Sequence, residues 1–231
     1  SRAFGEFQSL LVDLPGERLH ETIPEFHHTR SRYEALIRAI ESDSEGRVNS
    51  VAEEIAFARS REAMVDKLLD EHARGDLPER VTHNDTKLNN VMFDLASGEA
   101  ICVIDLDTVM PGLVLYDFGD LVRTATSPAL EDEKDLSKVT MQRPMFEALA
   151  QGYVDATRSF LLPAEKARLA FSGKLITFEI GLRFLTDFLK GDTYFKTHRP
   201  GHNLDRCRTQ FKLVESIEEQ ETAMQRFVDT L

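Results

Sequence analysis

Residues 83–90 read HNDTKLNN, and further on Asp105 closes the apolar run ICVI. Together they place a carboxylate (Asp85), an ammonium two residues on (Lys87), an amide five residues on (Asn90) and a second carboxylate across a short turn (Asp105). Phosphoryl transfer needs that set, because it asks little covalent work of a protein beyond holding an acceptor hydroxyl and neutralising charge on the phosphoryl oxygens. Asp85 suits the base, since a carboxylate in reach of a hydroxyl orients it and takes its proton. Asn90 and Asp105 suit Mg²⁺, a hard ion that takes few protein oxygens and leaves the rest to phosphate and water. Lys87 suits the γ-phosphate of ATP.

Each has a plainer alternative. Asp85 can cap a turn, Lys87 can be a surface lysine, Asn90 can cap a strand entry and Asp105 can be a surface carboxylate at a hairpin end. The four spacings together favour the chemical reading. In an extended chain Asp107 would share the face of Asp105, as a second ligand, a substrate contact or a solvated side chain. His83 reads as a structural histidine that orients the loop by hydrogen bonds. Asp117, in YDFGD at 116–120, reads as a buried brace for the loop, not as a metal ligand, although residues 117–119 spell DFG.

The elements that position these groups follow from periodicity. Residues 91–93 and 101–104 flank a polar turn and form a two-stranded hairpin, which helices must cover because such a hairpin is unstable alone. Cys102 in it reads as core. Helices are expected over residues 48–74, with Val51, Ile55, Ala58, Val65, Leu69 and His72 inward, and over 116–126, 143–160, 164–190 and 203–229. Residues 175–189 (LITFEIGLRFLTDFL) are apolar nearly all round and carry Glu179, Arg183 and Asp187 on one stripe. Charges on a buried helix are paired or face a polar cavity. Here i,i+4 spacing allows an ion-pair ladder, and a pocket lined by Arg183 is equally open. Residues 194–205, starting at Tyr194, are a candidate pocket wall.

Composition narrows the class. The 231 residues are 42% hydrophobic and 29% charged, with a net charge of -12, which is globular and argues against a general nucleic-acid binder. Two cysteines make no disulfide framework, and no run is long enough to span a bilayer. A cytoplasmic protein without nucleic-acid or membrane partners is the expectation.

HNDTKLNN, then VIDLDTVMPG, then YDFGD resembles the aminoglycoside phosphotransferase and choline kinase superfamily, of protein-kinase-like fold. AFGEFQ, LHETIPEFH, RFLTDFLKGD and GHNLDRCRTQFKLVES are similar to its N-acetylhexosamine 1-kinase group. The resemblance implies a mainly α chain, 1–231, forming the C-terminal lobe of that fold. The catalytic loop would be 83–90, the metal-binding hairpin end 101–107 and the helical acceptor-binding part 143–231. It implies that Asp85 is the base, that Asn90 and Asp105 hold Mg²⁺, and that Asp85, Arg183 and Tyr194 contact the sugar.

The implied activity is transfer of the ATP γ-phosphate to the anomeric hydroxyl of an N-acetylhexosamine. An aminoglycoside, choline or ethanolamine, or homoserine are the other acceptors considered. Outside small-molecule kinases stand a non-catalytic kinase-like binding module and, more weakly, a metal-dependent hydrolase. Kinases of this fold begin with a β-rich lobe, and the chain shows no Gly-rich loop or VAIK-like strand. The expectation is a chain that starts just after the hinge, lacks most of the nucleotide site and is inactive alone.

Overall fold

A computed structural model describes residues 1–231. In chain order the helices are α1 (Arg2–Leu11), α2 (Thr29–Ser42), α3 (Ala52–Arg59), α4 (Lys67–Ala73), α5 (Val114–Ala125), α6 (Arg143–Thr157), the single turn α7 (Pro163–Lys166), α8 (Leu169–Leu189) and α9 (His202–Asp229). Four short strands, β1 (Arg80–Thr82), β2 (Val91–Phe93), β3 (Ala100–Val103) and β4 (Met110–Gly112), make two antiparallel pairs, β1 with β4 and β2 with β3. The architecture is mainly helical with two small sheets, as expected for the fold class. No helix is long and apolar enough to cross a membrane.

Helix α8 is the axis. Eighteen of its 21 residues are buried, because α9, α5 and α2 pack around it. Close approach of α5 needs Gly119: a Cβ there would lie 2.5 Å from the Ser172 carbonyl oxygen. This places the DFG triplet inside a helix, where Phe118 is fully buried and Gly119 makes room for α8.

Residues 48–74 are not one helix. A 3₁₀ turn precedes α3, and another separates it from α4. The break follows side-chain commitments: Ser60 bonds back to the Phe57 carbonyl, Arg61 pairs with Glu218 and covers the Phe57 ring, and Arg30 draws in Glu62 and Asp66. The phase shifts across it, so Leu68 and Glu71 turn inward in place of Leu69 and His72. The helix expected over 164–190 is split: Glu165, accepting from the Leu162 N–H and from Arg80 on β1, fixes the separate turn α7, and α8 starts at 169.

The second sheet was not expected. Thr82 pairs with Met110 and Arg80 with Gly112, joining the entrance of the 83–90 loop to the chain that leaves Asp105. Pro111 and Gly112 hide that strand in the sequence. A Cβ on Gly112 would lie 2.5 Å from Thr82 Oγ1, so glycine is required at this crossing. The β2–β3 hairpin forms where expected but helices cover only part of it. Met92, Phe93 and Ile101 are exposed, and Cys102 is exposed too, not core. Helix α1 packs against β3.

Candidate functional site

The loop between β1 and β2 carries no regular structure until the 3₁₀ turn Leu88–Asn90, yet its first residues are tied down by backbone hydrogen bonds. Asp117, on α5 and wholly buried, accepts from the His83 N–H at 2.9 Å, the Asn84 N–H at 2.6 Å and Gln8 Nε2 at 2.6 Å. Burial pushes its carboxyl up, and these donors oppose that by favouring the ionised form. Thr86 Oγ1 donates to the Asp117 carbonyl at 2.6 Å, and Thr108 Oγ1 donates to the His83 carbonyl at 2.7 Å. Asp117 thus has the geometry of the brace expected from the sequence.

His83 accepts the Asp85 N–H at Nδ1 (3.3 Å), so Nε2 is its donor, 3.0 Å from the Ile104 carbonyl oxygen. Phe4 and Phe7 hold the ring edge-on. The histidine couples the loop to the hairpin end and leaves no ring nitrogen free for proton transfer.

At that corner the four sequence candidates meet. Lys87 Nζ lies 2.5 Å from Asp85 Oδ2 and 3.9 Å from Asp105 Oδ2. Asn90 Nδ2 donates to the Asp85 carbonyl at 2.8 Å and to Asp85 Oδ2 at 3.0 Å. The Ile104 N–H bonds the Asn90 carbonyl at 2.9 Å, which sets Asp105 beside Asn90. Three acceptors remain unpartnered by hydrogen bonds: Asp85 Oδ1, Asn90 Oδ1 and the Asp105 carboxylate, whose side chain is 47% exposed. Asp105 sits at φ +63° and Asn84 at φ +65°, a backbone region that non-glycine residues occupy at a cost and that concentrates at functional sites.

Asn90 Oδ1 and Asp105 supply an amide oxygen and a carboxylate, the hard donors Mg²⁺ accepts when phosphate and water complete its shell. Asp107 does not share the face of Asp105. Residues Leu106–Thr108 form a 3₁₀ turn instead of an extended run, and the Asp107 carbonyl accepts from Thr22.

Arg183 and Tyr194 come together elsewhere, with no hydrogen bond or ion pair to Asp85. They line a cavity of about 260 Å³ with Arg32, Lys190 and Phe195. The ion-pair ladder on α8 does not form. Glu179 turns to His27 and Thr29, and Asp187 accepts the backbone N–H groups of Thr193, Tyr194 and Phe195. Arg183 is left with the Tyr194 hydroxyl at 3.5 Å and with the rings of Phe26, Tyr194 and Phe195. Burial draws its guanidinium below the usual arginine value.

Sequence reasoning passed over His27 and offered Glu179 either a ladder on its own helix or a place beside a pocket lined by Arg183. His27 Nδ1 lies 2.7 Å from Glu179 Oε1, and its Nε2 lies 3.2 Å from the Asn84 carbonyl oxygen. The available signal was Glu179 itself, an acid in the middle of an apolar helix that needed a partner from somewhere.

Comparison with known proteins adds to this geometry. Among solved structures the chain is similar to an ADP-bound aminoglycoside phosphotransferase, APH(2'')-Ib, at 13% identity and a TM-score of 0.49; the match covers 94% of this chain and 64% of that one. Residues 1–160, which include the whole loop and hairpin, match the sequence family described as APH, phosphotransferase enzyme family. By that match over more than half its length, the chain belongs to the phosphotransferase enzyme family.

Proposed function

We propose that this chain carries the catalytic and acceptor-binding machinery of an ATP-dependent small-molecule kinase, and that its acceptor is a sugar, phosphorylated on the anomeric hydroxyl of an N-acetylhexosamine. The observation that supports it most is the corner where Asp85, Lys87, Asn90 and Asp105 converge with their outer oxygens unpartnered. In this reading the acceptor oxygen attacks the γ-phosphorus in line, the bond from that phosphorus to the β–γ bridging oxygen breaks, and ADP leaves. Asp85 orients the hydroxyl and receives its proton on Oδ1. Lys87, already between the two carboxylates, faces the transferred group and offsets its charge. Mg²⁺, when bound, supplies neutralisation of the β- and γ-phosphate oxygens, with Asn90 Oδ1 and Asp105 as its protein ligands.

The cavity at Arg183 favours a hydroxylated acceptor over a cationic one. Arg32, Arg183 and Lys190 line it without a carboxylate partner, and the oxygens of Asp187 are taken by backbone N–H groups and Asn203. A quaternary amine or polyamine would meet net positive charge there, three cations against the one carboxylate of Asp187. Guanidinium donors beside the faces of Tyr194 and Phe195 suit the hydroxyls and apolar faces of a sugar ring.

The test is a substrate panel with the whole gene product, ATP and Mg²⁺: N-acetylhexosamines, neutral hexoses, an aminoglycoside, choline and homoserine. Fastest turnover of an N-acetylhexosamine, at the anomeric position by phosphorus NMR, supports the proposal. Preferred turnover of choline or an aminoglycoside sinks the acceptor assignment. An Asp85→Asn enzyme with unchanged turnover sinks the mechanism.

A further inference from the structure

The peptide unit linking Asn84 to Asp85 is held at both ends by histidines. Its N–H, from Asp85, bonds to His83 Nδ1 at 3.3 Å, and its C=O, from Asn84, faces His27 Nε2 at 3.2 Å. The rest of Asn84 is equally committed: its N–H goes to Asp117, and its side chain bonds to Thr82 and Thr108. Asn84 has a positive φ, a backbone state that persists only where the surroundings over-determine it. Both hydrogen bonds oppose rotation about Asn84 ψ and Asp85 φ, and an uncompensated rotation about either would swing the Cα–Cβ bond of Asp85 and carry its carboxylate away from Lys87 and Asn90.

His27 is itself fixed from behind. Its residue is 6% exposed, and Nδ1 lies 2.7 Å from Glu179, which has no exposed surface at all. Thr29 Oγ1 donates to the other Glu179 oxygen at 2.6 Å. The ring packs between Phe26, edge-on at 4.7 Å, and Tyr116 at 5.3 Å. Glu179 belongs to the most buried helix of the molecule, one turn before Arg183. The neighbouring Phe26 ring lies 5.0 Å from the Arg183 guanidinium. One helix therefore anchors both the acceptor cavity and the carbonyl that precedes the candidate base.

We propose that His27, gripped by Glu179, is a positioning residue: it holds the 84–85 peptide plane and so aims the Asp85 carboxylate at the acceptor hydroxyl. The proposal rests on the phosphotransfer reading above and adds to it a relay from α8 to the base. His27 touches no substrate in this account. It acts through the backbone, so it sets turnover and leaves ground-state binding alone.

The experiment compares His27→Gln, Glu179→Gln, the double variant and His28→Gln in the whole gene product. His28 is the control, since its ring only caps α2 by accepting the Ser31 N–H. Each single change at 27 or 179 is expected to lower kcat by roughly ten- to a hundredfold, the loss that small misplacements of reacting groups bring. The KM values for nucleotide and acceptor should stay within about twofold. The double variant should be no slower than the slower single one, because the two residues act as one unit. His28→Gln should match wild type.

Amide hydrogen exchange of the 231-residue chain supplies a readout independent of activity: protection at Asn84 and Asp85 should fall in His27→Gln and Glu179→Gln, while protection in α8 and α9 persists. A folded His27→Gln protein with wild-type kcat overturns the proposal, as does unchanged protection at 84 and 85. If the wild-type gene product transfers no phosphate to any acceptor, the phosphotransfer reading fails by itself. The exchange data then still decide whether His27 holds the loop.

Discussion

The two faces of the 83–90 loop differ in how completely their polar groups are matched. On the inner face every donor meets an acceptor: the N–H groups of His83 and Asn84 meet Asp117, the Thr86 hydroxyl meets the Asp117 carbonyl, and the Asn84 carbonyl meets His27. On the outer face Asp85 shares one oxygen with Lys87 and Asn90 and leaves the other open, and Asp105 has only a lysine at 3.9 Å. The inner face therefore behaves as core and the outer face as a site. Unpaired polar groups are costly when buried and useful when they face a ligand. The division lets one short segment be rigid and still keep polar groups open to a ligand.

Substitutions on the two faces should separate cleanly. The largest effect is expected outside: Asp85→Asn should reduce kcat by about a hundred- to ten-thousandfold with little change in acceptor KM and a wild-type melting curve, checked by steady-state kinetics and calorimetry. Inside, Asp117→Ala strands three buried donors. It should cost about 3 kcal/mol or more of folding stability in urea titrations, with activity falling because the loop is lost. Gly119→Ala leaves every hydrogen bond in place but forces α5 off the Ser172 carbonyl, so about 1–3 kcal/mol of overpacking is expected, read as a lowered Tm. Arg183→Gln touches neither face. It should raise acceptor KM roughly tenfold while kcat changes less, the pattern of lost uniform binding.

The smallest effect concerns acid. Burial opposes ionisation of Glu179, but His27 and Thr29 outweigh it and hold its carboxyl below the usual glutamate range. The folded value thus lies below the unfolded one of about 4.3. The stabilisation is complete above that pH and is lost as pH falls through the folded value. Tm measured from pH 7 down to pH 3 should drop less steeply in Glu179→Gln than in wild type. An equal slope would mean that the acid limb belongs to other carboxylates.

Much of the site was readable because its residues lie close together in the chain. Asp85, Lys87 and Asn90 span six positions, and Asp105 follows one hairpin later, so local geometry brings them together whatever the helices do. Asp117 was readable as a brace because an acid inside an apolar run must find donors. Three features were hidden for different physical reasons. The β1–β4 pair joins segments nearly thirty residues apart, and Pro111 and Gly112 carry no strand propensity. The broken helix at residues 60–66 is set by ion pairs to Arg30 and Glu218, which are distant in sequence. Glu179 has a spacing that fits a ladder on its own helix, and only the fold shows that its partner comes from residue 27. Cys102 misled in the opposite sense: β-branched neighbours suggest burial, but a two-stranded ribbon with a helix on one side leaves the other side open.

The exposed β2–β3 ribbon inverts a common intuition about where enzymes flex. Here the irregular stretch that carries Asp85 is tethered to α5, α1 and His27, while the regular strands leading to Asp105 project with Met92, Phe93 and Ile101 in solvent. Thermal motion should therefore collect in the ribbon and spare the loop. In the proposed mechanism, breathing of the ribbon would move Asp105 relative to a stationary Asp85, so mobility would govern ion and nucleotide exchange more than proton transfer.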